Sequence, residues 1–193
     1  MTNIAYADEL RPRHRWTVAD YHKMGETGVL ARDARVELVE GEIIEMAPIG
    51  SGHAGRVKRL NDLLSSRLHG KAIVSVQDPV VLGDRSELQP DIAVLRWRAD
   101  YYASAHPQPA DVLLVIEVAD TTVRYDREVK IPLYARHGIP EAWLLDLPGR
   151  RLEVYRSPHS GGYARVDCHR QGQVSAGLLS EAVVDLAGLF PNP

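Results

Sequence analysis

Two acids stand in segments that a sheet would bring together. Glu117 lies inside the run Val112-Leu113-Leu114-Val115-Ile116-Glu117-Val118-Ala119. Apolar residues at both parities, many of them β-branched, are the pattern of a strand covered on both faces. A carboxylate there loses its hydration and must meet a cation or take up a proton, or it costs roughly several kcal/mol. Asp91, in Gln89-Pro90-Asp91-Ile92-Ala93-Val94-Leu95, stands near the start of another strand-like segment. Acids on adjacent strands can converge on a divalent metal, because hard cations take oxygen ligands. The alternatives are a turn acid after Pro90 for Asp91, and for Glu117 a structural ion pair with Lys130 or Arg124 and no metal.

Other chemistries lack their residues. The chain has no G-x-S-x-G elbow, Walker loop, H-E-x-x-H pair or glycine-rich dinucleotide turn. Paired carboxylates also cut glycosidic bonds, but three Trp, eight Tyr and one Phe are few aromatics for a sugar cleft. Cys168 is the only cysteine, which excludes an intrachain disulfide and a cysteine-rich zinc cage. The formal charge of −3 argues against nonspecific coating of nucleic acid. Local basic clusters at Arg11, Arg13 and Arg15, and at Arg56, Lys58, Arg59, Arg67 and Lys71, can still hold a phosphate backbone in a salt-dependent way. No apolar stretch reaches the length of a membrane helix, and the opening MTNIAYADELRPRHR has no apolar core of a signal peptide, so a cytoplasmic address is the default expectation.

The elements that must position these acids are expected in one domain, 1–193, of mixed α/β (α+β) class. Residues 1–16 are a polar, poorly tied arm. Thr17 and Asp20 form a capping box ahead of a short helix. Val36 to Val39 and Glu42 to Met46 make a hairpin around Glu40-Gly41. A helix from about His53 to His69 carries Val57, Leu60, Leu64 and Leu68 on one face and stops at Gly70. Strands follow over Ala72 to Leu82 (interrupted at Asp78-Pro79), Asp91 to Trp97 and Val112 to Ala119. Asp126 to His137 is a helix whose start Pro132 leaves loosely defined. Glu141 to Leu147 and Arg151 to Arg156 form a hairpin around Pro148-Gly149. Short β segments over Gly161 to Val174 and an apolar unit from Leu178 to Phe190 follow.

This order, with Val36-Glu37-Leu38-Val39-Glu40-Gly41-Glu42-Ile43, His53, Pro90-Asp91-Ile92, Ile116-Glu117-Val118, Asp126-Arg127-Glu128-Val129-Lys130, Tyr134 and Gly138-Ile139-Pro140-Glu141-Ala142-Trp143-Leu144-Leu145-Asp146, resembles the PD-(D/E)XK, or restriction-endonuclease-like, nucleases. Within them it is most similar to the Uma-two family of bacterial endonucleases, over about Thr17 to Tyr155 with a core at about 53–147. The resemblance implies a mixed sheet flanked by helices, with an N-terminal helix and hairpin extension. It further implies a homodimer that hydrolyses DNA with Mg²⁺ or Mn²⁺.

Carried over residue by residue, the resemblance makes Asp91 and Glu117 metal ligands, with the backbone carbonyl of Val118 as another. The superfamily's lysine two residues after the second acid is absent, since that position is Ala119. Lys130 on the following helix is the substitute, a relocation known within the superfamily. Glu37 takes the place of the acid usually supplied by the first core helix, because His53 to Leu68 contains no Glu. His53 and Arg56 are candidate phosphate contacts, against the alternatives of a helix-start imidazole and a solvated basic face. Asp126 reads as a structural partner of Lys130 at i,i+4. Tyr134 and Trp143 read as core. The rival function is a catalytically degenerate member that binds nucleic acid or protein as a dimer.

Overall fold

The computed structural model describes residues 13–190. Helix α1 (Val18–Thr27) opens with the expected capping box. Asp20 N–H donates to Thr17 Oγ1 at 3.1 Å, and Thr17 N–H donates back to Asp20 Oδ2 at 3.0 Å. Strands β1 (Val36–Val39) and β2 (Glu42–Glu45) pair antiparallel across Glu40-Gly41. Both turn residues have positive φ, 49° and 82°, as a two-residue hairpin requires. Of the expected arm, residues 1–12 lie outside the described residues. Residues 13–16 run along this turn, where Trp16 N–H donates to Gly41 O at 2.9 Å and Arg15 pairs with Glu42 at 2.6 Å.

Helix α2 (Ser51–Leu68) buries Val57, Leu60, Leu64 and Leu68, the face expected from its periodicity. Strand β3 (Ala72–Ser75) leads to β4 (Val80–Val81), β5 (Glu87–Leu88), β6 (Ile92–Arg96) and β7 (Val112–Ala119). The expected strand over Ala72 to Leu82 is two strands in two sheets. The chain leaves the larger sheet after β3 and joins the smaller one at β4, with Asp78-Pro79 between them. The next helix begins at Val123, ahead of the expected start, as α3 (Val123–Tyr125). It widens to a π segment over Asp126–Lys130 and finishes as α4 (Ile131–Arg136). Pro132 has no N–H for an α-helical bond to Glu128 O, and the wide turn sits immediately ahead of its ring.

Strands β8 (Glu141–Asp146), β9 (Arg151–His159) and β10 (Gly162–His169) complete a six-stranded sheet in the order β10-β9-β8-β7-β6-β3. Among the described residues its one parallel pair is β7 with β8, joined through the 123–136 helix. A four-stranded sheet in the order β2-β1-β5-β4 stands beside it. The chain then forms the pair β11 (Gln173–Ser175) and β12 (Val183–Asp185) and the short helix α5 (Leu186–Leu189).

Alternation along β7 sorts the core. Leu114, Ile116 and Val118 pack with α2, whereas Val115 and Ala119 pack with Ile131, Leu133 and Tyr134 on the opposite face. Glu117 shares the parity of Val115 and Ala119. Asp91, one residue before β6, shares that of Ala93 and Leu95, which also belong to the α4 side. The β6–β7 register pairs Ile92 with Ile116, so the next position sets Asp91 opposite Glu117. The larger sheet thus presents both acids toward the same face.

Candidate active site

Glu117 and Lys130 meet at the end of β7. The Lys130 Nζ lies 3.2 Å from Glu117 Oε1 and 3.0 Å from Glu37 Oε1. Tyr134, one turn further along the helix, donates its hydroxyl to the same Glu117 oxygen at 2.5 Å. Glu37 comes from β1 of the smaller sheet. Its Oε1 also accepts the N–H of Gln89, the residue that follows β5, at 2.7 Å. Relative exposures are 2% for Glu117, 3% for Glu37, 5% for Lys130 and 8% for Asp91. Side chains this deep must meet charged or polar partners.

Asp91 is held by three donors. Val118 N–H and His53 Nε2–H both donate to Oδ2 at 2.9 Å, and the Gln77 amide donates to Oδ1 at 3.0 Å. His53 stands in the first turn of α2, where helix entry aims its ring at Asp91. Gln77 reaches it from the crossing between β3 and β4 with a positive φ of 56°, a conformation uncommon outside glycine. Asp126 accepts from the Thr122 hydroxyl at 2.6 Å. It acts on Lys130 through its charge.

These groups, Tyr134 apart, line one cleft of about 200 Å³, together with Asp120, Tyr125, Arg35, Glu45 and the strip Ile44, Met46 and Ala47. Six acids face the side chains of Lys130, Arg35 and His53, and titration reflects that excess. Burial pushes Glu117 up to about 8, against the opposing charge of Lys130 and helped by Asp126, Asp91 and Glu37. Burial likewise raises Asp126. Burial works against the Lys130 charge, but Glu117, Glu37 and Asp126 outweigh it and hold the ammonium protonated. Burial also works to raise Asp91, yet the hydrogen bond and charge of His53, with the Val118 and Gln77 bonds, keep it below its ordinary value. The Asp91 hydrogen bond raises His53 in turn.

The donor set suits a hard cation of low protein coordination. Glu37 and Glu117 each turn one oxygen to Lys130, and their Oε2 atoms accept no hydrogen bond among the described residues. No group of three or more His, Cys, Asp and Glu among the described residues could hold one ion, so a caged site of the zinc type is absent there. Magnesium binds through one or two carboxylates and keeps several waters.

Of the residues singled out by sequence, Asp91, Glu117, Glu37, Lys130, Val118 and His53 come together at this cleft. Arg56 does not line it: its Nε donates to Leu189 O at 3.2 Å and its Nη1 to Gly52 O at 3.3 Å. Asp126, read as a partner for Lys130, bonds Thr122 and lines the cleft. Gln77 and Tyr125 were not singled out. Tyr134 is core, as read, but its hydroxyl serves Glu117.

A mixed sheet flanked by helices, with acids brought together from neighbouring strands and a lysine from the helix that follows, defines a restriction-endonuclease-like fold. The profile of the Uma2 family, described as "Putative restriction endonuclease", matches residues 18–187. The chain belongs to that family. It is also similar in structure to a protein of Anabaena variabilis described as "a putative nuclease belonging to DUF820". The TM-score is 0.62 and the identity 19%, over 80% of this chain and 89% of the other. No curated protein matches the chain in sequence.

Proposed function

We propose that the chain is a metal-dependent endonuclease that hydrolyses DNA phosphodiester bonds. The observation that carries the proposal is the convergence of Asp91, Glu117, Glu37 and Lys130, from two sheets and a helix, on one cleft. Asp91 and Glu117 would hold a Mg²⁺ or Mn²⁺ ion, with the Val118 carbonyl, which shares the strand side of the N–H that meets Asp91. Glu37 would complete the shell through water. When bound, such an ion supplies a water of lowered pKa and charge for the phosphoryl oxygens.

The chain's own groups supply orientation and charge. His53 and Gln77 fix the rotamer of Asp91. Tyr134 and Lys130 fix Glu117. Lys130 stays protonated, so it acts as a hydrogen-bond donor toward the attacking water or the developing charge on phosphorus, not as a base. The two helix-borne donors both meet Oε1 and leave the second oxygen of Glu117 without a hydrogen-bond partner among the described residues. DNA is the substrate class to which the family description points, and a homodimer would bring two such sites to two strands. Supercoiled plasmid tests the proposal: nicking with Mg²⁺ should vanish with EDTA and in Lys130→Ala, and nicking that survives either would refute it.

One observation favours a second reading. Position 119 of the superfamily's lysine is Ala119, and each acid already has an intramolecular partner. A protein that binds nucleic acid or another protein without cutting would need no more than this. Mn²⁺ calorimetry separates the two, since a scaffold without a site gives no heat that depends on Asp91.

A further inference from the structure

Four buried side-chain nitrogen or oxygen atoms among the described residues lack a hydrogen-bond partner: His53 Nδ1, Tyr125 OH, Arg151 Nε and Arg156 Nε. The two guanidinium groups are nonetheless held by carboxylates, Arg151 by Asp146 and Glu153 and Arg156 by Glu141 and Asp167. The residues that carry the other two atoms both line the same cleft. His53 is anchored through its second nitrogen to Asp91. Tyr125 has only the one polar atom. A buried hydroxyl without an acceptor loses its hydration for nothing in return, which is rare enough in native folds to require an explanation.

Backbone geometry gives a second indication. The segment Asp126–Lys130 is π-helical, and Ile131 N–H donates to Asp126 O, an i to i+5 bond. A π turn brings residues five apart toward one face, whereas the 100° step of an α-helix separates them. Tyr125 and Lys130 are five apart, and both line the cleft. Extra turns of this kind concentrate at functional sites. Burial and the charge of Glu37 push the phenol up to about 12, so near neutral pH it is an O–H donor. The carboxylates that act on it by charge, Glu37, Asp126 and Glu117, accept no hydrogen bond from it. No protein group meets the hydroxyl among the described residues, and an acceptor oxygen on a ligand would do so. In a cleft of six acids, that ligand enters beside a cation and carries acceptor oxygens, which is the chemistry of a phosphoryl group.

We propose that Tyr125 is a substrate-binding residue whose hydroxyl donates to a non-bridging phosphoryl oxygen of a phosphodiester in the cleft. This rests on the nucleic-acid reading of the site. The test compares wild type with Tyr125→Phe, which removes one oxygen and keeps the ring. Calorimetry with Ca²⁺ measures binding of a thymidine dinucleotide phosphodiester and, separately, of thymidine monophosphate. The variant should bind the dinucleotide about tenfold more weakly, the size of one lost hydrogen bond. Its melting temperature should be unchanged or raised, because no bond within the fold is lost. Equal dinucleotide affinity overturns the proposal, as does a lowered melting temperature or a wild type that binds no dinucleotide. An effect confined to the monophosphate also overturns it, since the hydroxyl would then recognise a chain end. Plasmid nicking is scored in parallel: absent nicking with tyrosine-dependent dinucleotide binding would retire the endonuclease and leave this site standing.

Discussion

At Lys130 a single buried ammonium faces Glu37 at 3.0 Å and Glu117 at 3.2 Å, with Asp126 and Asp91 also acting on Glu117 through their charge. Replacing it with methionine leaves Glu37 buried without its cation and takes a donor from Glu117, so Lys130→Met should lose about 3 kcal/mol in urea unfolding and abolish nicking. Glu117 gives a pH signature. Its folded value of about 8 lies above the ordinary 4.5, so the folded state holds a proton that the unfolded state gives up. Stability contributed by that proton is complete below about 4.5 and is lost as pH rises toward about 8. Thermal melts across that window should fall more steeply for wild type than for Glu117→Gln, and parallel slopes would contradict the assignment. Both acids of the larger sheet were legible because an acid in an apolar run, and one at the head of the next strand, are anomalies of pattern. Tyr134 and Asp126 were not legible in their actual roles. A tyrosine on an apolar face carries no sign of where its hydroxyl points. The i,i+4 argument for Asp126 and Lys130 presumes α-helical phase, which the π segment does not keep.

The elements that deliver these side chains follow from local chemistry more faithfully than from strand counting. The capping box at Thr17, the Glu40-Gly41 turn and the four-residue apolar face of α2 are all spacing rules, and all appear where the spacing puts them. The division of Ala72 to Leu82 between two sheets was not legible, because an Asp-Pro interruption marks a break and does not say which partner each half will find. That division matters, since the crossing carries Gln77 to Asp91 and the smaller sheet carries Glu37 to Lys130. Gly41 tests the hairpin. A Cβ there would lie 2.7 Å from the Cβ of Arg15, at a φ of +82° that side chains rarely adopt. Gly41→Ala should therefore cost about 1–3 kcal/mol in urea unfolding, and a neutral result would place the 13–16 segment elsewhere.

Across the whole molecule, a sheet covered by α2 on one face and by the 123–136 helix on the other carries the buried Asp91 and Glu117 at the end where β6 begins and β7 finishes. Its other buried acids, Glu141 and Asp146 on β8 and Glu153 on β9, are paired with Arg127, Arg151 and Arg156. No helix among the described residues is long and apolar enough to cross a membrane. The fold class and the family were legible because the order of motifs spans most of the chain. The surplus of acids in the cleft is the property that most needs a ligand, and it bears on how a cation would bind. An ion that displaces the Glu117 proton should release up to about one proton below pH 8, so the calorimetric enthalpy should vary with the buffer's own ionisation heat. The decisive measurement is a Mn²⁺ titration by calorimetry of wild type beside Asp91→Asn and Glu117→Gln. Saturable heat in the wild type that both substitutions abolish is the expected result. No heat, or the same heat in all three proteins, would contradict a cation site between the two strands.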